Sequence, residues 1–171
     1  YQSMFQYILV DEYQDSNNAI LQLQVGAGDY PSLADIDGDG DLDIVAFEFF
    51  NGGAMEWYKN IGPDVFGDCD TLVFFLETYC WGRFYECQTC GRYDINLDNQ
   101  CLINGSNNFC AKSPQAAHAG SASLHLDLND DGLLDVLLSD IGCTPIVRMT
   151  NVGSALDAQS DSARSGFPQY D

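Results

Sequence analysis

Short runs of apolar and β-branched residues, separated by acidic or glycine-containing turns, recur along the whole chain. Residues 44–47 (Ile-Val-Ala-Phe) and 136–138 (Val-Leu-Leu) each follow a dense acidic segment, and both have the length and composition of buried strands. Further strands are predicted at 4–10 and 19–25, which would form a hairpin, and at 71–78 and 82–86. This pattern predicts an all-β protein.

The two acidic segments that precede these strands share one motif. Residues 35–43 read D-I-D-G-D-G-D-L-D, and residues 127–135, which start 92 positions later, read D-L-N-D-D-G-L-L-D. Oxygen-bearing side chains occupy positions one, three, five and nine, and the glycine at position six permits a turn at positive φ. Carboxylates packed this closely repel one another unless a cation lies between them. The motif therefore predicts two Ca²⁺ sites.

The residues that flank the motif argue against a helix-loop-helix calcium hand. Such a hand needs a bidentate Glu at position twelve, which is Ala46 in the first copy and Leu138 in the second. We therefore predict loops that connect two strands. The expected ligands, with the backbone carbonyl used at position seven, are Asp35, Asp37, Asp39, Asp41 and Asp43 in the first loop and Asp127, Asn129, Asp131, Leu133 and Asp135 in the second. The first loop has one more carboxylate and is expected to bind calcium more tightly.

The segments around the loops resemble FG-GAP or VCBS repeats, which are the calcium-loop units of integrin-like β-propellers and of many secreted bacterial proteins. Both segments pass from the loop to a strand and then to a closing strand that ends in Asn-x-Gly, at 60–62 and at 151–153. The resemblance implies a blade-like sheet of about four strands for each repeat. A closed propeller needs at least four blades, so two repeats imply an incomplete, propeller-like arrangement.

The resemblance and the cysteine pattern together divide the chain into five segments. These are N-terminal strands or a hairpin at 1–27, the first repeat at 28–62, a cysteine-rich insertion at 63–120, the second repeat at 121–153 and a C-terminal tail at 154–171. The tail is polar, and its composition is typical of turns.

Six of the seven cysteines lie in the insertion. The full set is Cys69, Cys80, Cys87, Cys90, Cys101, Cys110 and Cys143. This clustering, in an acidic chain with calcium-type loops, predicts extracellular disulfides. The alternatives for Cys87-x-x-Cys90 are a zinc site or a redox motif, but the sequence lacks a second pair at finger spacing and a strand-then-helix context. One thiol should be left over, and Cys143 is the candidate unless it links the insertion to the second repeat.

Charge restricts the partners of the chain. The 171 residues carry a net charge of −20 with a pI near 4.1, which argues against nucleic acid and anionic membrane surfaces. The longest apolar run, 71–76, is far shorter than the roughly 18 residues of a membrane-spanning helix. The chain begins at Tyr1 without a basic leader, and we expect that an export signal has been removed.

The remaining candidate chemistry favours packing over catalysis. His125, in the strand before the second loop, is expected to be a packed residue, and His118 is the one other histidine. Trp57 and Tyr58 are expected to pack in the closing strand of the first repeat. The aromatic residues of 81–85 would be core or interface residues or, alternatively, a sugar-stacking surface. We therefore expect no enzymatic activity.

Two further segments of the insertion imitate known sites. Residues 94–98 copy the first positions of the calcium loop, but Asn99 replaces the glycine, so a solvated turn is favoured over a third site. Residues 104–106 form a glycosylation sequon, which matters only in a eukaryotic source.

The expected function is that of a secreted calcium-binding structural protein that assembles with copies of itself into an extracellular filament or tube. Two sheets without ring closure would leave unpaired edges through which copies can associate. The alternative is a calcium-stabilised adhesion or carbohydrate-binding module of a larger secreted protein, with a cell-surface or polysaccharide ligand. A secreted hydrolase is the least favoured class.

Overall fold

Nearly all of the regular structure in the described part of this chain is β-strand. A computed structural model describes residues 23–49, 53–67, 72–87, 89–98, 101, 110 and 121–165. Within them lie one short helix, α1 (Gly62–Phe66), one 3₁₀ turn (Trp81–Arg83) and ten strands: β1 (Ser32–Ala34), β2 (Asp43–Phe47), β3 (Met55–Asn60), β4 (Phe74–Thr78), β5 (Tyr85–Glu86), β6 (Tyr93–Asp94), β7 (Ser121–Leu126), β8 (Asp135–Asp140), β9 (Val147–Asn151) and β10 (Ser160–Ser165). The predicted all-β class is confirmed.

Two four-stranded antiparallel sheets contain most of these strands. The first sheet has the order β1-β2-β3-β4, the second has the order β7-β8-β9-β10, and β5 pairs with β6 in a small third sheet. No sheet closes into a barrel within the described residues. The acidic loops occupy the same place in both large sheets, between β1 and β2 and between β7 and β8. The prediction that each loop connects two strands is therefore confirmed.

The core lies between the faces of the two large sheets. In the first sheet Trp57 is paired with Val45, and in the second Met149 is paired with Val136; all four side chains are buried in one cluster. The alternation of side chains along a strand places each set on one face. Trp57 and Tyr58 are both buried, at 1% and 4% exposure, so the packing role predicted for them is confirmed.

The first strands of the two sheets lie side by side. The backbone N–H of Tyr30 donates to the carbonyl of Ser121 (2.8 Å), and the N–H of Ser123 donates back to Tyr30 (3.3 Å). The N–H of His125 donates to Ser32 Oγ at 3.3 Å. His125 is 6% exposed, and its ring meets Trp81 edge to face with the ring centroids 4.4 Å apart. The prediction that His125 is a packed strand residue is confirmed.

Three disulfides connect the insertion to itself and to the second sheet. They are Cys80–Cys101, Cys87–Cys110 and Cys90–Cys143, with Cα atoms 5.2, 4.8 and 5.5 Å apart. The predicted disulfide framework is confirmed, and the two cysteines of the C-x-x-C have different partners, which removes the zinc and redox alternatives. The suggestion that Cys143 is the odd thiol is wrong, because it links the insertion to the second repeat. Cys69 lies outside the described residues.

Two segments depart from their predicted structure. The strand expected at 82–86 forms only at Tyr85–Glu86, because Gly82 and Arg83 belong to the 3₁₀ turn and have left-handed φ of 73° and 51°. Trp81 is 3% exposed and Phe84 is 0% exposed, so these rings belong to the core and not to a sugar-stacking surface. The tail, which was expected to form turns, contributes β10 and so completes the second sheet.

Several expectations concern residues that the structure does not describe, or describes only in part. The hairpin strand at 4–10, the sequon at 104–106 and His118 lie outside the described residues, and the described end of the second hairpin strand, 23–25, is not in a strand. Where the structure is described, it contains no helix of the length and apolarity that a membrane crossing requires.

Candidate metal-binding loops

The first loop is folded around the carboxylate of Asp35. Its Oδ1 accepts a hydrogen bond from the N–H of Gly38 (2.8 Å), and its Oδ2 accepts one from the N–H of Gly40 (3.0 Å). Both glycines are left-handed, with φ of 80° and 97°, a conformation that other residues adopt rarely. Carboxylate oxygens of Asp35, Asp37 and Asp39 all come within 4.8 Å of one another. The turn therefore gathers the side chains of positions one, three and five.

The second loop repeats this arrangement around Asp127. Its Oδ1 accepts from the N–H of Asp130 (2.6 Å), and its Oδ2 accepts from the N–H of Gly132 (2.8 Å). Asp130 and Gly132, at the places of the two glycines of the first loop, are also left-handed, with φ of 63° and 83°. The backbone hydrogen bonds lower the pKa of Asp127, that from Gly132 most strongly, because they favour its charged form.

The predicted ligands at positions three, five and seven make the same hydrogen bonds in both loops. Asn129 Oδ1 accepts from the N–H of Asp131 (3.1 Å) in the second loop, as Asp37 Oδ1 accepts from Asp39 (3.3 Å) in the first. The residues of position seven, whose carbonyls are predicted ligands, donate their N–H groups to the carboxylate of position five: Asp41 to Asp39 Oδ1 at 3.2 Å and Leu133 to Asp131 Oδ1 at 2.8 Å.

The aspartate at position nine ties each loop to its closing strand. Asp43 accepts from the N–H of Ile36 (3.2 Å) and of Asn60 (2.8 Å), and both Asp43 and Asp135 are 0% exposed. Asp135 repeats these bonds with Leu128 (3.1 Å) and Asn151 (2.8 Å). The same carboxylate thus fastens two chain segments in each repeat.

The asparagines of the closing strands were not predicted as site residues. The side chain of Asn60 accepts from the N–H of Gly62 (3.0 Å), and that of Asn151 accepts from the N–H of Gly153 (2.9 Å). The repeated Asn-x-Gly endings were the sequence signal for this role. They mark the turn that holds the position-nine carboxylate in place.

Burial, together with repulsion between neighbouring carboxylates, raises pKa values in the first loop. Desolvation, followed by the charges of Asp39 and Asp43, raises the pKa of Asp41 to about 6. Burial also raises the pKa of Asp43, although the hydrogen bond from Asn60 opposes that change. A divalent cation would reverse such shifts, because it stabilises the charged carboxylates.

Sequence analysis also missed Lys59, which reaches into the first loop from β3. Its ammonium forms ion pairs with Asp37 and with Asp39 Oδ2, the latter at 3.1 Å. These contacts raise the pKa of Lys59; partial desolvation opposes their effect. Nothing in the motif itself signals this lysine, which lies 22 residues from Asp37 in the sequence.

The first loop gathers oxygen atoms of the kind that a hard cation such as Ca²⁺ takes as ligands. Two oxygens on opposite sides of Ca²⁺ are roughly 4.6–5.2 Å apart, since each bond is about 2.3–2.6 Å long. Oxygens of Asp35, Asp37 and Asp39 lie within 4.8 Å of one another, so they are no farther apart than two ligands of one such ion can be. The donors are oxygens throughout, the type that Ca²⁺ prefers, and soft ligands are absent from both loops.

Residues 94–98 do not form a comparable loop. Asp94 is 6% exposed and lies in β6, where its carboxylate accepts a hydrogen bond from the N–H of Cys110 at 3.0 Å. A solvated turn was expected here, and for Asp94 that expectation is wrong. The carboxylate instead fixes the backbone next to the Cys87–Cys110 disulfide.

Comparison of the chain with protein-family models, with curated proteins and with solved structures found no match.

Proposed function

We propose that this chain is a secreted calcium-binding structural protein that assembles with copies of itself into an extracellular filament. Calcium binding is supported chiefly by one observation, which is that the same loop geometry recurs in two separate sheets. Asp35 and Asp127 each fold a turn around their carboxylate, and Asp43 and Asp135 each fasten it to the closing strand. The resemblance to FG-GAP repeats agrees with this role.

Disulfides and charge support an extracellular setting. Three disulfides within a small domain persist in oxidising compartments and are rare in a reducing cytosol. The net charge of −20 keeps copies apart by repulsion, and extracellular calcium can neutralise part of it.

The assembly part rests on the outer strands of the two sheets. Within the described residues β4 and β10 each pair with one strand, which leaves one edge of each sheet open. Phe75 on β4 is 57% exposed, an apolar side chain on such an edge. Open edges pair readily with another chain, and a head-to-tail contact that does not close produces a filament.

Replacing Asp35 or Asp127 by alanine should remove one calcium site each. Either change deletes a charged ligand and the acceptor around which the loop folds. Isothermal titration calorimetry should find two calcium ions per unaltered chain and one in each variant. Asp161→Ala, an exposed residue of β10, is the control and should keep both. Two ions bound by both loop variants would contradict the assignment of ligands.

Calcium should also control the size of the particles. At millimolar calcium, light scattering should detect particles far larger than the 18.8 kDa chain, electron microscopy should show filaments, and a chelator should disperse them. Phe75→Ser should weaken assembly and leave calcium binding intact, whereas Leu156→Ser, at a 68% exposed loop position, should change neither. A chain that remains monomeric at all calcium concentrations would favour the adhesion or carbohydrate-binding module instead.

A further inference from the structure

The first loop contains a cation of its own, the ammonium of Lys59. It forms ion pairs with Asp37 and Asp39, which are two of the expected calcium ligands. The side chain of Asp37 is only 4% exposed and that of Lys59 is 21% exposed, so this contact is largely shielded from water. An ion pair shielded in this way is stronger than one on the open surface.

In the part of the chain that the structure describes, the second loop has no such cation. Thr150 is the counterpart of Lys59 in the second repeat. Lys59 directly precedes Asn60 in the first closing strand, and Thr150 directly precedes Asn151 in the second. Where the structure is described, no basic side chain forms an ion pair with the second loop. Its internal contact is neutral instead: the amide of Asn129 donates to Asp131 Oδ2 at 2.9 Å. A metal ion that enters this loop would displace no positive charge of the described residues.

We propose that Lys59 is a built-in competitor of calcium, so that the second loop fills first and the first loop fills only at higher calcium concentration. This inference rests on the proposed function, in which both loops bind Ca²⁺. The ammonium and the ion need the same two carboxylates, those of Asp37 and Asp39, and their positive charges repel each other. Calcium can therefore enter only after Lys59 has moved away. The proposal reverses the order of affinities that a count of carboxylates predicts.

The same contact gives the first loop a counter-ion when calcium is scarce. Lys59 neutralises one of the carboxylate charges that the first loop gathers. The contacts that the described residues make with the second loop are hydrogen bonds without an ion pair. The first sheet is therefore expected to keep its fold in a chelator better than the second. Two loops that differ in this way would respond to two ranges of calcium concentration.

The test compares single loops. In the Asp127→Ala background, where the first loop remains, adding Lys59→Thr should raise calcium affinity on the order of tenfold or more by calorimetry. Lys59→Arg keeps the positive charge and should therefore raise the affinity by no more than about twofold. In the Asp35→Ala background, where the second loop remains, adding Thr150→Lys should lower affinity by a similar factor.

A second measurement separates competition from a loss of folding. In a chelator, Lys59→Thr should lower the thermal midpoint, because the carboxylates lose their counter-ion, and saturating calcium should restore it. If Lys59→Thr leaves the calcium affinity of the first loop unchanged or lowers it, while the second loop still binds calcium, the role of Lys59 is overturned. The proposed function would still stand in that case. Absence of calcium binding in every variant would overturn both.

Discussion

Asp135→Ala is expected to destabilise the fold by about 3 to 5 kcal/mol even in a chelator, where calcium contributes nothing. Its carboxylate is fully buried and accepts the N–H groups of Leu128 and Asn151, which come from two chain segments 23 residues apart. Alanine leaves the buried N–H of Asn151 and the partly buried N–H of Leu128 without an acceptor. A fully buried donor left in this way costs about 1–3 kcal/mol, and the emptied space adds to the loss. Chemical denaturation with and without chelator measures the loss.

The matched variants make this prediction specific. Asp43→Ala should cost a similar amount, because Asp43 holds Ile36 and Asn60 in the same manner. Asp131→Ala removes an exposed ligand that accepts from Leu133, and it should cost less than about 1 kcal/mol in a chelator. Equal losses in Asp131→Ala and Asp135→Ala would show that position nine serves the metal and has no separate structural role.

The loops were the part of the structure that the sequence predicted best. Their spacing requires a turn, and the glycine at position six has the left-handed φ that the motif implies, at 97° in Gly40 and 83° in Gly132. The apolar runs after them form β2 and β8 as expected. Such features are local, because a turn residue or a short strand leaves its signature within a few positions.

Features that depend on distant partners were not predictable in the same way. β10 reads as a polar tail because it lies at the edge of a sheet, and its strand conformation comes from pairing with β9. Gly82 lies in a segment of strand-like composition, yet it turns the chain close to Phe84 and Ser160; a Cβ there would come within 2.9 and 3.1 Å of their side chains. Tertiary packing decides both cases.

The pairing of cysteines and the position of Lys59 belong to the same class. Spacing alone allows many disulfide connectivities, and the link of Cys90 to Cys143 spans 53 residues. Lys59 looks like an ordinary polar residue of a closing strand until β3 is placed beside the first loop. A comparison of equivalent positions in the two repeats would have identified Lys59, since the equivalent residue of the second repeat is the uncharged Thr150.

The buried imidazole of His125 is expected to make the fold sensitive to acid. Burial lowers the pKa of His125 to about 3, from about 6.5 in an unfolded chain. Among the described residues its ring nitrogens have no hydrogen-bond partner, and its ring lies against Trp81. Below pH ~6.5 the imidazole of His125 binds a proton in the unfolded chain but not in the folded chain. The free energy of unfolding therefore falls as the pH falls from about 6.5 to about 3. Over that whole window the loss is on the order of 4 kcal/mol.

His125→Leu should abolish this component, because leucine has a similar volume and does not titrate. At pH 7 the variant should be as stable as the parent or more so, since no unpaired ring nitrogens remain buried. Denaturation curves of both proteins in a chelator, at pH 7, 5 and 4, give the comparison. Asp41 and Asp43, whose raised pKa values favour the fold at acid pH, contribute to both proteins, so the difference between the curves isolates His125. Parallel curves, with the same loss of stability in parent and variant, would show that His125 does not set the acid limit of this fold.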